Sequence, residues 1–108
     1  MLTGKAKEMF EGWYLKLPNA MGLNYGAFDI TMNRFYCLPE SMQFGVYQDW
    51  ADSMGVNMCV SERAINPKGA ARSYYYDVRG GAMSFNYPTR QEARAAALQK
   101  LNEIINKR

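Results

Sequence analysis

Apolar positions recur at helical spacing in three stretches of the chain and alternate in a fourth. Residues 3–17 place Ala6, Met9, Phe10, Trp13, Tyr14 and Leu17 on one stripe, which predicts an amphipathic helix with Thr3 as its N-cap and Pro18-Asn19 as its end. Residues 39–54 predict a second helix, with Met42, Val46, Trp50 and Met54 spaced by four and Tyr47 beside them. Gly55 suits a left-handed closing residue, and Gly45 inside the helix suggests close approach of another element. Residues 89–106 predict the last helix. There Thr89 and Glu92 form a T-x-x-E capping box, and Ala93, Ala97, Leu101, Ile104 and Ile105 make the buried stripe.

Between these helices the period changes to two. Val56, Met58 and Val60 alternate with polar neighbours, which predicts a strand over 56–62. Asn66-Pro67-Lys68-Gly69 marks a turn inside a 63–72 loop. Residues 74–87 then predict a hairpin about a two-residue turn at Gly80-Gly81, pairing Val78 with Met83, Tyr76 with Phe85 and Tyr74 with Tyr87 on one buried face. Asp77 with Ser84 and Tyr75 with Asn86 fall on the other. Phe28, Ile30 and Met32 also alternate with polar residues, which predicts an extra short strand over 27–32. The expectation is a single α+β domain over 1–108: a three-stranded antiparallel meander with helices on one face, in the order α-α-β-β-β-α.

Composition narrows the chemistry. At 108 residues the chain is long enough to bury a core without staples. No apolar run approaches the roughly 20 residues of a membrane helix, and the first ten residues mix acidic and basic side chains where a signal peptide needs an apolar stretch. A cytoplasmic protein without a membrane partner is expected. Cys37 and Cys59 are isolated in sequence, and two buried, reduced thiols are expected. The chain has no histidine, which removes the commonest general base and metal ligand, so neither a metal site nor a cofactor is expected. Asp49 and Asp52 share a helical face, as a solvated pair would. No catalytic constellation emerges, and an enzyme is not expected.

Charge is uneven. Residues 1–62 carry four Lys/Arg against seven Asp/Glu, whereas residues 63–108 carry nine against three. Arg63, Lys68 and Arg72 fall in the loop between the first two sheet strands, and Arg90 and Arg94 lie one turn apart at the start of the last helix, next to Thr89. A helix start with two arginines can hold an anion or phosphate; equally, the arginine stems can cover sheet aromatics with their heads in water. Tyr75, on the open face, can anchor a partner or pack on its neighbours.

The stretches L-P-E-S-M-Q-F-G-V-Y-Q-D-W-A-D-S-M-G at 38–55 and T-R-Q-E-A-R-A-A-A-L-Q-K-L-N-E-I-I-N at 89–106, with T-G-K-A-K-E-M-F-E-G-W-Y at the start, resemble small phage and prophage proteins of gut Bacteroidota. Segment 18–37 lies outside the resemblance. It implies a phage or mobile-element origin and brings no catalytic residues. The expected function is a non-enzymatic accessory protein, monomeric or homodimeric, that binds a host or phage macromolecule. The order helix, three strands, helix also resembles that of double-stranded RNA-binding domains, which touch RNA through the first sheet loop and the start of the last helix. Arg63, Lys68, Arg72, Arg90 and Arg94 occupy those places, but the loop lacks that family's histidine and Glu92 interrupts its lysine cluster. Nucleic-acid binding is therefore the alternative expectation.

Overall fold

A computed structural model describes residues 2–16, 28–64, 72–78 and 82–108. The elements are α1 (Gly4–Leu15), α2 (Phe28–Tyr36), α3 (Glu40–Ser53), β1 (Met58–Ala64), β2 (Arg72–Val78), β3 (Ala82–Tyr87) and α4 (Arg90–Asn106). The architecture is α+β, with an antiparallel sheet in the order β1-β2-β3. No helix among the described residues is long and apolar enough to cross a membrane.

The helical layer is built around Phe10. Its ring lies 4.7 Å from that of Tyr47, 5.1 Å from Phe35 and 5.4 Å from Trp50, centroid to centroid. Such offset and edge-on ring pairs add to what burial itself contributes. Ala97, Leu101 and Ile105 of α4 join this layer to Met58, Tyr76 and Val78 of the sheet in one core. Alanine at 93 and 97, both fully buried, lets α4 lie close to the strands.

Four expectations need correction. The 27–32 strand is instead the start of α2. Phe28, Met32, Phe35 and Tyr36 also follow a helical i, i+4, i+7, i+8 pattern, and burial of Met32 and Phe35 against the α1 aromatics decides for helix. Of the expected α3 stripe, Tyr47 and Trp50 are buried and Val46 and Met54 pack against the core, but Met42 is 55% exposed, and Phe44 and Ala51 are buried as well. A strict spacing of four drifts about 40° per step on a helix of 3.6 residues per turn; alternating threes and fours stay on one face. Apart from the neighbouring backbone of α3 itself, no described atom lies within 4 Å of where a Cβ at Gly45 would sit, so no other described element makes a close approach there. Finally, neither thiol is fully buried. Cys37 is exposed, Cys59 is half-buried, and both are free.

The hairpin register also differs near its turn. Tyr74 faces Tyr87 as expected, but Val78 faces Ala82, Asp77 faces Met83 and Tyr76 faces Ser84. Three positions, not two, therefore separate the last pair, and the Gly80-Gly81 turn lies outside the described residues. One extra residue on β3 between Ser84 and Tyr87 restores the outer pair. Asn86 takes φ 71°, a bulge conformation that asparagine tolerates better than most residues. The slip carries Met83 from the core face to the open face, where it is 52% exposed.

Helix termini follow local rules at two places. Gly55 (φ 77°) closes α3, with its N–H donating to Asp52 O and that of Val56 to Ala51 O. Thr89 Oγ1 accepts the Glu92 N–H at 3.1 Å; the Glu92 carboxylate does not return the bond, so only half of the expected box forms. The start of α1 differs. Thr3 occupies the N-cap position without a side-chain cap of its own. Asn106 from the far end of the chain supplies the acceptor instead, its Oδ1 taking the Ala6 N–H at 2.9 Å while its Nδ2 donates to Thr3 O at 3.1 Å. Asn102 adds a second clasp, accepting from Thr3 N at 2.8 Å.

Candidate functional site

Two surfaces collect the residues singled out in the sequence. The first is the sheet end at which α4 begins. Arg63 and Arg72, expected in the loop, are instead strand residues, because β1 runs on to Ala64 and β2 begins at Arg72; the register sets Arg63 opposite Ser73 and Arg72 opposite Ala64. Glu62 and Tyr74, the adjoining pair, meet Arg90 of α4 there. Its guanidinium lies 3.8 Å from the Glu62 carboxylate and 5.3 Å from the Tyr74 ring centre. Lys68 lies outside the described residues.

Arg94, one turn further along α4, bonds Glu40 at the first position of α3. The two arginines expected to wait for an anion thus each face a carboxylate from a distant element. Neither Glu62 nor Glu40 stood out in the sequence. Glu40 is recognisable as an acidic residue in a helix first turn, but its partner lies 54 positions away.

Beside the Arg94–Glu40 pair, α3 and α4 flank a half-open cavity of about 200 Å³ lined mainly by Gln43, Phe44, Tyr47, Ala95 and Leu98. One of its lining residues is anchored by two hydrogen bonds. The Gln43 carboxamide donates to Tyr36 O and Leu38 O at 3.0 and 2.9 Å, which ties α3 to the end of α2. Burial, and secondarily the charge of Glu11, pushes the Tyr47 hydroxyl up to about 12. Tyr36 is raised further by the same causes, burial first, together with the 2.7 Å bond it donates to Glu11.

The second surface is the sheet face away from the helices. Cys59, Ser61, Tyr75 and Asp77 are half-buried there and Met83 is exposed, and Cys59, Tyr75 and Met83 lie outside the core cluster. Tyr75 stands at its centre, opposite Ser61, as the alternation predicts. Ser73, at the loop end, is buried.

Among the described residues, no group of three or more Cys, Asp or Glu side chains is placed to hold a metal ion. No known protein family, curated protein or solved structure matches the chain.

Proposed function

We propose that this chain is a non-enzymatic binding protein, a phage or prophage accessory protein that engages a host or phage macromolecule through the open face of its sheet. The observation that carries the reading is one-sided packing. The described helices join the core on the Met58–Tyr76–Val78 face, while the opposite face has Met83 exposed at one side and Tyr75, half-buried, at its centre. A rigid aromatic and a flexible thioether within a polar surround are side chains that protein interfaces favour.

Capture from host cells tests this. The wild-type chain is compared with a Ser61→Arg/Met83→Asp variant matched in melting temperature and circular dichroism. A protein retained by the wild type after nuclease treatment and lost from the variant supports the reading. Equal retention by both, or a turnover activity that survives purification, overturns it.

A second reading, direct nucleic-acid binding, is favoured by the register that brings Arg63 and Arg72 to the sheet end where Arg90 lies. It expects affinity that falls steeply between about 50 and 200 mM salt and weakens when Arg63, Lys68, Arg90 and Arg94 become alanine. Salt-independent absence of binding to single strands and duplexes ends it.

A further inference from the structure

We propose that the cavity between α3 and α4 is a binding site for a small apolar carboxylate, whose hydrocarbon part fills the cavity and whose carboxylate takes the place of Glu40 on Arg94. The argument begins with size. The cavity is half open to solvent, measures about 200 Å³ and is walled by Phe44, Tyr47, Ala95 and Leu98. Apolar cavities of about 150 Å³ admit benzene, so this one has room for a six-membered ring or a short aliphatic chain with one polar end. It is too small for most drug-sized ligands, which occupy roughly 300–1,000 Å³.

The polar end is chosen by the two charges at the rim, which are not equivalent. Arg94 is held against the wall with its side chain 19% exposed, whereas the Glu40 side chain is 40% exposed. The contact joins one guanidinium nitrogen to one carboxylate oxygen. A guanidinium carries five N–H donors in a planar fork, and a carboxylate in better alignment can engage two nitrogens at once. Glu40 can turn into water; Arg94, packed between the helices, stays.

The backbone favours the same ligand charge. Glu40 is the first residue of α3, and Pro39 before it provides no side-chain cap. The positive end of α3 therefore lies beside the guanidinium, and Arg94 itself belongs to the second turn of α4. At the rim, the start of α3 and the guanidinium together attract an anion, against the carboxylates of Glu40 and, acting on Tyr47, of Glu11. This site is separate from the open sheet face, and neither reading depends on the other.

Methyl and backbone NMR of the full chain, titrated with benzoate and with hexanoate, tests the proposal. Benzyl alcohol and benzylamine serve as neutral and cationic controls. Saturable shifts confined to Phe44, Ala95, Leu98 and their neighbours are expected, with a Kd of about a millimolar or tighter, as befits ligands of this size. Arg94→Gln should weaken benzoate at least tenfold. Leu98→Trp, which fills the cavity, should abolish its binding. Glu40→Gln should tighten it several-fold, because it removes the competing carboxylate. This last variant separates the proposal from general stickiness. No saturable shift with either acid, equal binding of benzylamine, or weaker binding in Glu40→Gln overturns it.

Discussion

The two ends of α4 hold the rest of the molecule by different chemistry. At its carboxyl-terminal end, Asn102 and Asn106 clasp the start of α1 with neutral amides, satisfying the Thr3 and Ala6 N–H donors. At its amino-terminal end, Arg90 and Arg94 reach carboxylates on β1 and α3 through partly exposed ion pairs. A hydrogen bond that satisfies a half-buried N–H is costly to remove, because the donor is stranded; an exposed pair loses little, because water replaces each partner. The difference separates a structural end from an end that can exchange partners. The candidate anion chemistry sits at the second.

The largest expected effect breaks the comparison from beneath, by attacking the aromatic layer on which both ends rest. Tyr47 is 3% exposed, and its folded pKa of about 12 lies above the ordinary value of 10.0. The folded state therefore binds more protons than the unfolded chain between these values. Its contribution is complete below about pH 10 and is lost as pH rises toward 12, by about 2–3 kcal/mol. Denaturant unfolding at about pH 9 and pH 11.5 should show that loss in the wild type and a smaller one in Tyr47→Phe.

Next comes the neutral clasp. Asn106→Ala strands the Ala6 N–H and should cost about 2 kcal/mol, with little change between low and high salt. Equilibrium denaturation at two ionic strengths measures both. Gly4→Ala strikes the same clasp from the other side. Gly4 has φ +59°, and an added Cβ would lie 3.3 Å from Asn106 Oδ1. A loss of about 1–2 kcal/mol is expected from the backbone conformation alone, before any shift of the amide. A neutral result in the thermal melt would mean that α1 starts elsewhere in solution.

Legibility in the sequence followed distance along the chain. The buried alanines of α4, the Gly55 closure and the Thr89 cap depend on residues within one or two turns, and all could be read directly. The inward set leading into β1 was equally plain, because Val56, Met58 and Val60 alternate without interruption, although the strand itself starts only at Met58. α2 was misread because six alternating residues satisfy either period, and only contact with Phe10 and Tyr14 decides. The hairpin slip depends on a bulge at Asn86 that no glycine announces. The Asn106 cap and the Arg94–Glu40 pair join residues 100 and 54 positions apart, so nothing local marks them. The cavity was invisible for a related reason: Tyr47 read as an ordinary core residue, Phe44 and Leu98 fell outside the expected stripes, and only the meeting of α3 with α4 leaves a space between them.

The smallest expected effect is at Arg90, and its smallness is the test. The Arg90 and Glu62 side chains are 50% and 43% exposed, with 3.8 Å between the charged atoms. The Tyr74 ring 5.3 Å away offers a further weak attraction to the same guanidinium. An exposed pair at that separation is worth at most a few tenths of a kcal/mol, and a cation–π contact near water about 0.5 kcal/mol. Arg90→Ala should therefore shift stability by about 0.5 kcal/mol or less, and a double-mutant cycle with Glu62→Gln should give a coupling that fades as salt is raised. A coupling as large and as salt-independent as that between Asn106 and Thr3 would erase the distinction between the two ends. It would make the start of α4 a structural clasp and remove the reason to seek an exchangeable anion there.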